Sequence, residues 1–320
     1  MHPALSVIFF TVVSGSGYGI LFLLGLELAF DPWMVGRSDA LIGLATGTAF
    51  AAAGLTSSLF HLGQPQRAWR SLSQWRSSWL SREGVAALCS FVPALALAAC
   101  LWRGADAGVL RAFAMALATT ALLTVYCTSG IYTSLKTIHA WHNGHVLPGY
   151  LLFALLGGAS TLWMLNALTG DAANTSLRYA LPGLVVLSAL ACALLKHGYW
   201  RFIDITRHPA TVESATGLGR FGKVRSVEWP HTEENYLTRE MGFALARKHS
   251  ARLRGLALIF FGAFPVMFAI VALISPALTM ASASVAFASA LTGIFVERWL
   301  FFAEARHVVM LYYRTPEKHA

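Results

Sequence analysis

The stretch that decides the fold is residues 4–30, ALSVIFFTVVSGSGYGILFLLGLELAF, in which Glu27 is the only charged side chain. A helix needs about 20 mainly apolar residues to cross the hydrocarbon core of a bilayer, which is about 30 Å thick. The run is therefore long enough to span the membrane. It lacks the Lys or Arg residues that begin a secretory signal, and it is longer than the apolar core of one. We expect it to be the first membrane-spanning helix.

Seven more apolar runs of similar length follow, and the alternating pattern of a membrane barrel is absent. The predicted spans cover about residues 4–30, 40–60, 84–102, 109–135, 148–168, 179–196, 256–275 and 282–313. With 56% hydrophobic and 12% charged residues, the 320-residue chain has more apolar surface than one water-soluble core could hide. The sequence predicts an all-α integral membrane protein, an eight-transmembrane-helix bundle that forms a single membrane-anchor domain over residues 1–320.

The distribution of basic residues predicts the orientation. Lys and Arg outnumber Asp and Glu by 24 to 15, and most of them fall near the termini and in the second, fourth and sixth connections. The positive-inside rule then predicts that both termini are cytoplasmic. The membrane is expected to be a bacterial inner membrane. Segment 197–254 becomes a long cytoplasmic connection between helices 6 and 7, with an amphipathic helix expected around residues 233–249. A basic balance of this kind indicates contact with the lipid bilayer, and nothing in the chain resembles a nucleic-acid module.

Cysteines and histidines predict that this chain holds no metal centre. Its four cysteines lie in or beside apolar runs without CxxC spacing, and they are Cys89, Cys100, Cys127 and Cys192. The histidines of the bundle fall at the basic ends of the spans, so the far half lacks the axial ligands that a transmembrane pair of haems needs. We expect neither an iron–sulfur cluster nor such a haem pair, although a single haem near the basic face stays an alternative.

Segment 61–83 is the densest polar and aromatic stretch of the chain. His61 ends one predicted span and Glu83 opens the next, so the two side chains can face one cleft. A quinone needs an apolar slot, hydrogen-bonding groups at its carbonyls and a group that exchanges protons. The candidate quinone-binding residues in this segment are His61, Arg67, Trp69, Arg70, Trp75 and Glu83. The alternative is a loop of ordinary interfacial Trp and Arg anchors.

The last predicted span contains several ionisable residues, which are costly in lipid and therefore often functional. Glu297 and Glu304 are seven residues apart and share a helix face, and His307 is three residues beyond Glu304. These groups form either an ion-pair cluster that fixes helix packing or a polar wall for a redox ligand. Arg298, Glu304 and His307 therefore join the candidate quinone-binding residues.

Small residues at positions 14–19, SGSGYG, allow close helix contact in the first span. They predict tight packing within the bundle, with a dimer seam as the alternative.

The motif HLGQPQRA at residues 61–68, its spacing to Glu83 and the opening HPALSVIFFT at residues 2–11 resemble the dimethyl sulfoxide reductase anchor subunit family. The resemblance extends over the whole eight-span chain. It implies that the protein holds an iron–sulfur electron-transfer subunit, and through it a molybdopterin catalytic subunit, on the membrane. It also implies electron exchange with ubiquinone or menaquinone at His61, Glu83 and Arg67, with Arg298 as a further counterpart. No catalytic residue of the molybdenum chemistry is then expected in this chain.

The long segment 197–254 departs from the enteric pattern of that family. This departure leaves the substrate of the partner subunits open. The predicted cytoplasmic position of the quinone motif resembles the cytoplasm-facing sulfite dehydrogenase branch, which implies electron flow from sulfite to quinone. A quinol-oxidising anchor of a dimethyl sulfoxide reductase is the alternative. Two alternatives from other classes are a secondary transporter, for which we find no internal repeat, and a purely structural anchor.

Overall fold

The computed structural model describes residues 3–169, 175–206, 210–225, 227–228, 245–311 and 313. Within these residues, eight helices are long and apolar enough to cross a membrane, which confirms the predicted fold class. Most of the amphipathic helix expected around residues 233–249 lies outside the described part of the chain.

Helix bounds differ from the predicted spans mainly on the side that the sequence marks as basic. The helices are α1 Leu5–Phe30, α2 Arg37–Ser58, α3 Trp79–Arg103, α4 Ala107–Thr133, α5 Val146–Thr169, α6 Thr175–Ile205, α7, which joins Leu245–Leu258, a π-helical turn Ile259–Ala263 and Phe264–Ile274, and α8 Thr279–Ala303. Helix α3 begins five residues earlier than predicted, α6 continues nine residues further, and α8 ends ten residues earlier. Hydropathy detects the apolar middle of a helix, whereas polar turns that are packed inside protein extend it.

Because successive spans cross the membrane in opposite directions, their ends sort onto two faces. We call "basic face" the one that holds the start of α1, the connections α2–α3, α4–α5 and α6–α7, and the residues after α8. The other is the opposite face. Both carboxylates of interest on α3 and α8, Glu83 and Glu297, lie four to six residues from the basic-face ends of their helices.

Helix α1 occupies the centre and contacts α2, α4, α5 and α8. Two of its glycines explain how its neighbours approach so closely. A Cβ atom at Gly19 would collide with the carbonyl oxygen of Ala154 on α5, and one at Gly17 would collide with the backbone of Ala51 on α2. The small-residue patch therefore packs inside the bundle, which confirms the first of the two interpretations of this patch.

The α4–α5 connection closes the basic end of the bundle. Trp141 donates from Nε1 to the carbonyl oxygen of Phe301 at 3.0 Å, and the Tyr199 hydroxyl donates to the carbonyl oxygen of Ala140 at 3.0 Å. A short antiparallel bridge pairs Ile138 with His307. These bonds tie the connection to α6, to α8 and to the residues that follow α8, so the interior beneath it is enclosed.

Candidate functional site

Glu83 is a buried carboxyl on the fifth residue of α3. Only 4% of it is exposed, and its Oε1 is hydrogen-bonded to the hydroxyl oxygen of Thr128 on α4, 2.5 Å away. Thr128 also lies 3.0 Å from the carbonyl oxygen of Thr124. The Glu83 carboxyl thus lies inside the bundle, one helical turn from the basic face, where a proton-exchanging group of a membrane site would be needed.

Hydrogen-bond counting bears on the proton of this carboxyl. A threonine hydroxyl carries one hydrogen and cannot donate to Glu83 and to Thr124 at the same time. If Glu83 carries a proton, its carboxyl donates to the Thr128 oxygen, and the hydroxyl is free for the Thr124 carbonyl. In the described structure no cation forms an ion pair with Glu83. Since an unpaired buried charge is costly, the pattern favours a protonated Glu83.

A small cavity with polar groups in its wall lies next to Thr128, between α1, α4, α5 and α8. Its volume is about 20 Å³, and a water molecule needs about 10–15 Å³. The residues that line it are Thr11, Val12, Ser14, Gly15, Ser16, Tyr18, Val125, Thr128, Tyr150, Phe153, Ala154, Ile294 and Arg298. A quinone ring does not fit this space, since sites for small molecules have volumes of about 300–1,000 Å³.

Buried polar atoms around this cavity lack hydrogen bonds of standard geometry within the described residues. They include the hydroxyls of Tyr18 and Tyr150 and Nη1 of Arg298. The guanidinium of Arg298 lies 4.5 Å from the ring centre of Tyr150 and 5.2 Å from that of Phe153. Its charge is therefore held among aromatic rings in the interior of the bundle.

Glu297 links two cations in the same region. Its Oε1 lies 2.5 Å from Nζ of Lys196 on α6, and its Oε2 lies 2.5 Å from Nε of Arg298. Glu297 is fully buried, and the side chains of the cations are 4% and 5% exposed. Two cations share one anion, so this buried triad carries an excess of one positive charge.

A second ion-pair group lies closer to the basic face. Arg254 of α7 donates from Nη1 and Nη2 to the carboxylate of Asp204 at 2.7 and 3.0 Å, and from Nε to Glu304 at 2.9 Å. Asp204 is 57% exposed, whereas the Glu304 side chain is only 7% exposed. Burial raises the pKa of Glu304 above its usual value, and Arg254 offsets only part of that rise.

The structure does not bring the predicted loop residues into contact with Glu83. Residues Pro65–Gln74 form 3₁₀ turns, and Arg67 and Arg70 are exposed. Trp69 and Trp75 are 67% and 53% exposed. Their described ring contacts are local, with Arg70 over Trp69 and Arg76 over Trp75. The side chain of His61 lies outside the described structure, although its backbone ends the 3₁₀ turn Leu59–His61.

Of the candidates in the last span, Arg298 faces the interior, and Glu304 and His307 lie beyond the helix. Because α8 ends at Ala303, helical spacing does not bring Glu304 and His307 together. Glu304 pairs with Arg254, and Nδ1 of His307 accepts a hydrogen bond from the backbone N–H of Val309 at 3.0 Å. Apart from His61, the candidate residues thus divide between an exposed loop, the buried residues Glu83 and Arg298, and the basic-face end of α8. Their role in binding a quinone stays a prediction.

Sequence reasoning missed Lys196, Thr128 and Tyr150. The predicted span 179–196 ends at Lys196, and the aromatic residues that follow, Tyr199 and Trp200, are of the type expected at a membrane interface. In the structure both aromatics are buried, at 2% and 5% exposure, and Lys196 packs over the Tyr199 ring. An acid and a base on different spans at matching depth were the one signal in the sequence that could have indicated this pair.

The described residues contain no group of three or more His, Cys, Asp or Glu side chains that could hold a metal ion.

Comparison with known proteins gives two matches over nearly the whole chain. The family model of the DMSO reductase anchor subunit (DmsC) matches residues 1–303. The chain is also similar to a sulfite dehydrogenase subunit from Allochromatium vinosum, with 30% identity over 333 aligned positions that cover 98% of this chain and 99% of the relative.

Proposed function

Because this chain belongs to the DMSO reductase anchor subunit (DmsC) family, we propose that it is the quinone-reactive subunit of a molybdopterin and iron–sulfur oxidoreductase. The chain is a multi-pass membrane protein and a membrane anchor of a multi-subunit oxidoreductase. The family predicted from residues 61–68 is therefore confirmed. Quinone reactivity is the step beyond, and it depends on Glu83.

The single observation that carries the proposal is the burial of Glu83 near the basic face, bonded to Thr128 and without an ion-pair partner in the described structure. A quinone takes up two electrons and two protons when it is reduced. The protein must therefore supply a proton-exchanging group beside an apolar, membrane-level slot. Glu83 fits this requirement, and the loop with Trp69, Trp75, Arg67 and Arg70 offers apolar surface and donors at the level of the lipid headgroups.

In this proposal four residues of the chain have defined roles. His61 binds one quinone carbonyl and Glu83 holds the exchangeable proton, while Arg67 and Arg298 set the local potential. Electrons pass between this site and an iron–sulfur subunit docked on the basic face, and the molybdopterin chemistry takes place on a third polypeptide. The basic face is cytoplasmic and the membrane is a bacterial inner membrane, so protons are exchanged with the cytoplasm.

We favour sulfite as the substrate of the partner subunits, because the relative that covers 98% of this chain is named as part of a sulfite dehydrogenase. Electrons would then run from sulfite to quinone. The alternative, oxidation of quinol for a sulfoxide reductase, differs only in the direction of electron flow. An assay of the native complex with sulfite and with dimethyl sulfoxide separates the two.

The test of the site is Glu83→Gln in the full complex in membranes. Glutamine still bonds with Thr128 but cannot exchange a proton, so we expect quinone-linked turnover to fall by about 10²-fold or more. Activity with an artificial dye that reacts directly with the partner subunits should stay unchanged. Glu27→Gln, which removes the α1 carboxyl near the opposite face, is the matched control and should have no effect on either activity.

Unchanged quinone-linked turnover in Glu83→Gln would refute the site. The rival functions make a different prediction. A transporter or a purely structural anchor would be purified without any quinone-dependent electron transfer, and a transporter would also lack molybdenum and iron.

A further inference from the structure

The cavity between α1, α4, α5 and α8 has room for one water molecule, with a volume of about 20 Å³. Its wall combines apolar side chains with three buried polar atoms that make no hydrogen bond of standard geometry: the hydroxyls of Tyr18, which lies near Ser90, and of Tyr150, which lies near Arg298, and Nη1 of Arg298 itself. Empty cavities in proteins are apolar, whereas buried waters make two to four hydrogen bonds to otherwise unsatisfied groups. Leaving such donors without a partner is unfavourable.

Donors and acceptors for a water molecule are both present. Nη1 of Arg298 and the hydroxyls of Tyr18 and Tyr150 have hydrogens to donate. The hydroxyls of Ser14 and Ser16 donate to carbonyl oxygens of their own helix, Phe10 and Val12, which leaves their oxygens free to accept. One water in this cavity therefore finds the three or so partners that buried waters usually have.

The cavity also lies between two groups of opposite character. On one side Thr128 lines it and bonds to Glu83. On the other side Arg298 lines it and belongs to the triad with Glu297 and Lys196, which has one excess positive charge. A carboxyl that rests protonated and must release its proton needs a cation to balance the charge that appears.

Other charged and titratable groups near Glu83 do not meet this need. Arg82, its neighbour on α3, turns toward the loop and donates to the carbonyl oxygens of Trp75 and Arg76 at 3.0 and 2.7 Å. Tyr18 from α1 and Cys127 from α4 are neutral in their usual forms. Arg298 is the remaining buried cation that faces the same cavity.

We propose that this cavity is a water site, and that the bound water connects Glu83, through Thr128, to Arg298, which serves as the counter-charge of the ionised carboxylate. Thr128 and Tyr150 are then positioning residues: they hold the water and the carboxyl but do not touch a quinone. The water site stands by itself, whereas the part played by Glu83 in turnover rests on the proposed function.

The first measurement is infrared spectroscopy of the purified complex in nanodiscs. We expect a protonated-carboxyl band that is absent from Glu83→Gln. The frequency of this band should shift in Thr128→Val and also in Tyr150→Phe, a residue on the other side of the cavity. Thr128→Ser, which keeps the hydroxyl, should show the band at the wild-type frequency. Matched controls on the lipid-exposed surface of α4, Thr119→Val and Tyr126→Phe, should leave the band unchanged.

The second measurement is an experimental map of the complex that resolves waters. It should show one water within hydrogen-bond distance of Arg298 Nη1 and the Tyr150 hydroxyl. Quinone-linked turnover of Tyr150→Phe should fall by about threefold to tenfold, the effect of losing one hydrogen bond. An empty cavity overturns the proposal, as does a carboxyl band that is identical in Tyr150→Phe and the wild type, or the lack of any band due to Glu83.

The results also separate this inference from the proposed function. If Glu83→Gln loses quinone-linked turnover but Tyr150→Phe leaves the band unchanged, only the water site is wrong. If the band shifts as expected but Glu83→Gln keeps full quinone-linked turnover, the water site stands and the quinone site is wrong.

Discussion

Substituting Glu297→Gln removes the one anion of the buried triad, so that neither Lys196 nor Arg298 keeps its carboxylate partner. Each cation lies 2.5 Å from a Glu297 oxygen, so with an effective dielectric constant of about 20 the gross attraction is about 7 kcal/mol per pair. Most of that attraction offsets the cost of taking the charges out of water. Breaking a buried pair by removing one partner typically costs about 3–5 kcal/mol. We expect Glu297→Gln to lower the free energy of unfolding by that amount.

The assay is equilibrium unfolding of the purified complex in mixed micelles of increasing SDS content, followed by tryptophan fluorescence. The double variant Lys196→Met/Glu297→Gln should recover part of the loss, because only one unpaired cation then remains. Glu304→Gln serves as the comparison, since Arg254 keeps its two bonds to Asp204 and the glutamine carbonyl can still accept from Nε of Arg254, so the expected cost is well below about 1 kcal/mol. A loss below about 1 kcal/mol in Glu297→Gln, or no recovery in the double variant, would refute the reasoning.

Three further outcomes follow from described contacts. Gly19→Ala should reduce the amount of folded protein in membranes because its Cβ atom would collide with the carbonyl oxygen of Ala154, whereas Gly15→Ala, with no atom within 4 Å of the added Cβ, should accumulate normally; immunoblots of membrane fractions compare them. Burial raises the pKa of Glu304 in the folded state above 4.5, so the stabilising contribution of this carboxyl is present at low pH and is lost as the pH rises above 4.5. In thermal melts, the stability of the wild type relative to Glu304→Gln should therefore fall as the pH is raised above 4.5. Asp106→Ala removes the side chain that accepts from Gly108 and Val109 at the start of α4, and should cost about 1 kcal/mol in the same unfolding assay.

The sequence was sufficient to predict eight spans, because lipid requires long apolar helices and each run is separated by polar residues. It was less informative about where the helices end on the basic face. Tyr199 and Trp200 resemble a belt at the membrane surface, yet tertiary packing covers both and carries α6 on to Ile205. Hydropathy does not distinguish an aromatic residue at a lipid surface from one inside protein.

For the site, the sequence indicated Glu83 because it opens a span at the end of the polar and aromatic segment 61–83 and because the spacing from His61 resembles that of the family; in the structure Glu83 is buried. Thr128 and Tyr150 could not be identified in the same way, because hydroxyl-bearing residues are common in spanning helices. Their significance comes from a cavity formed by four helices, which only the three-dimensional packing reveals. The loop arginines and tryptophans were chosen for their chemistry, and in the structure they are exposed and do not form a slot around Glu83.

The Lys196–Glu297 pair also constrains how the chain is inserted into the bilayer during synthesis. Lys196 enters the membrane with α6, while its partner is carried by α8, which is synthesised later. Insertion scales assign about 2.5–3.5 kcal/mol to a lysine near the centre of a spanning helix, and until α8 arrives the charge has the rings of Tyr199 and Trp200 beside it but lacks the carboxylate of Glu297. Arrival of α8 therefore supplies the ion-pair partner of a charge that α6 has carried since its own insertion, so the native arrangement of α6 depends on a helix made after it.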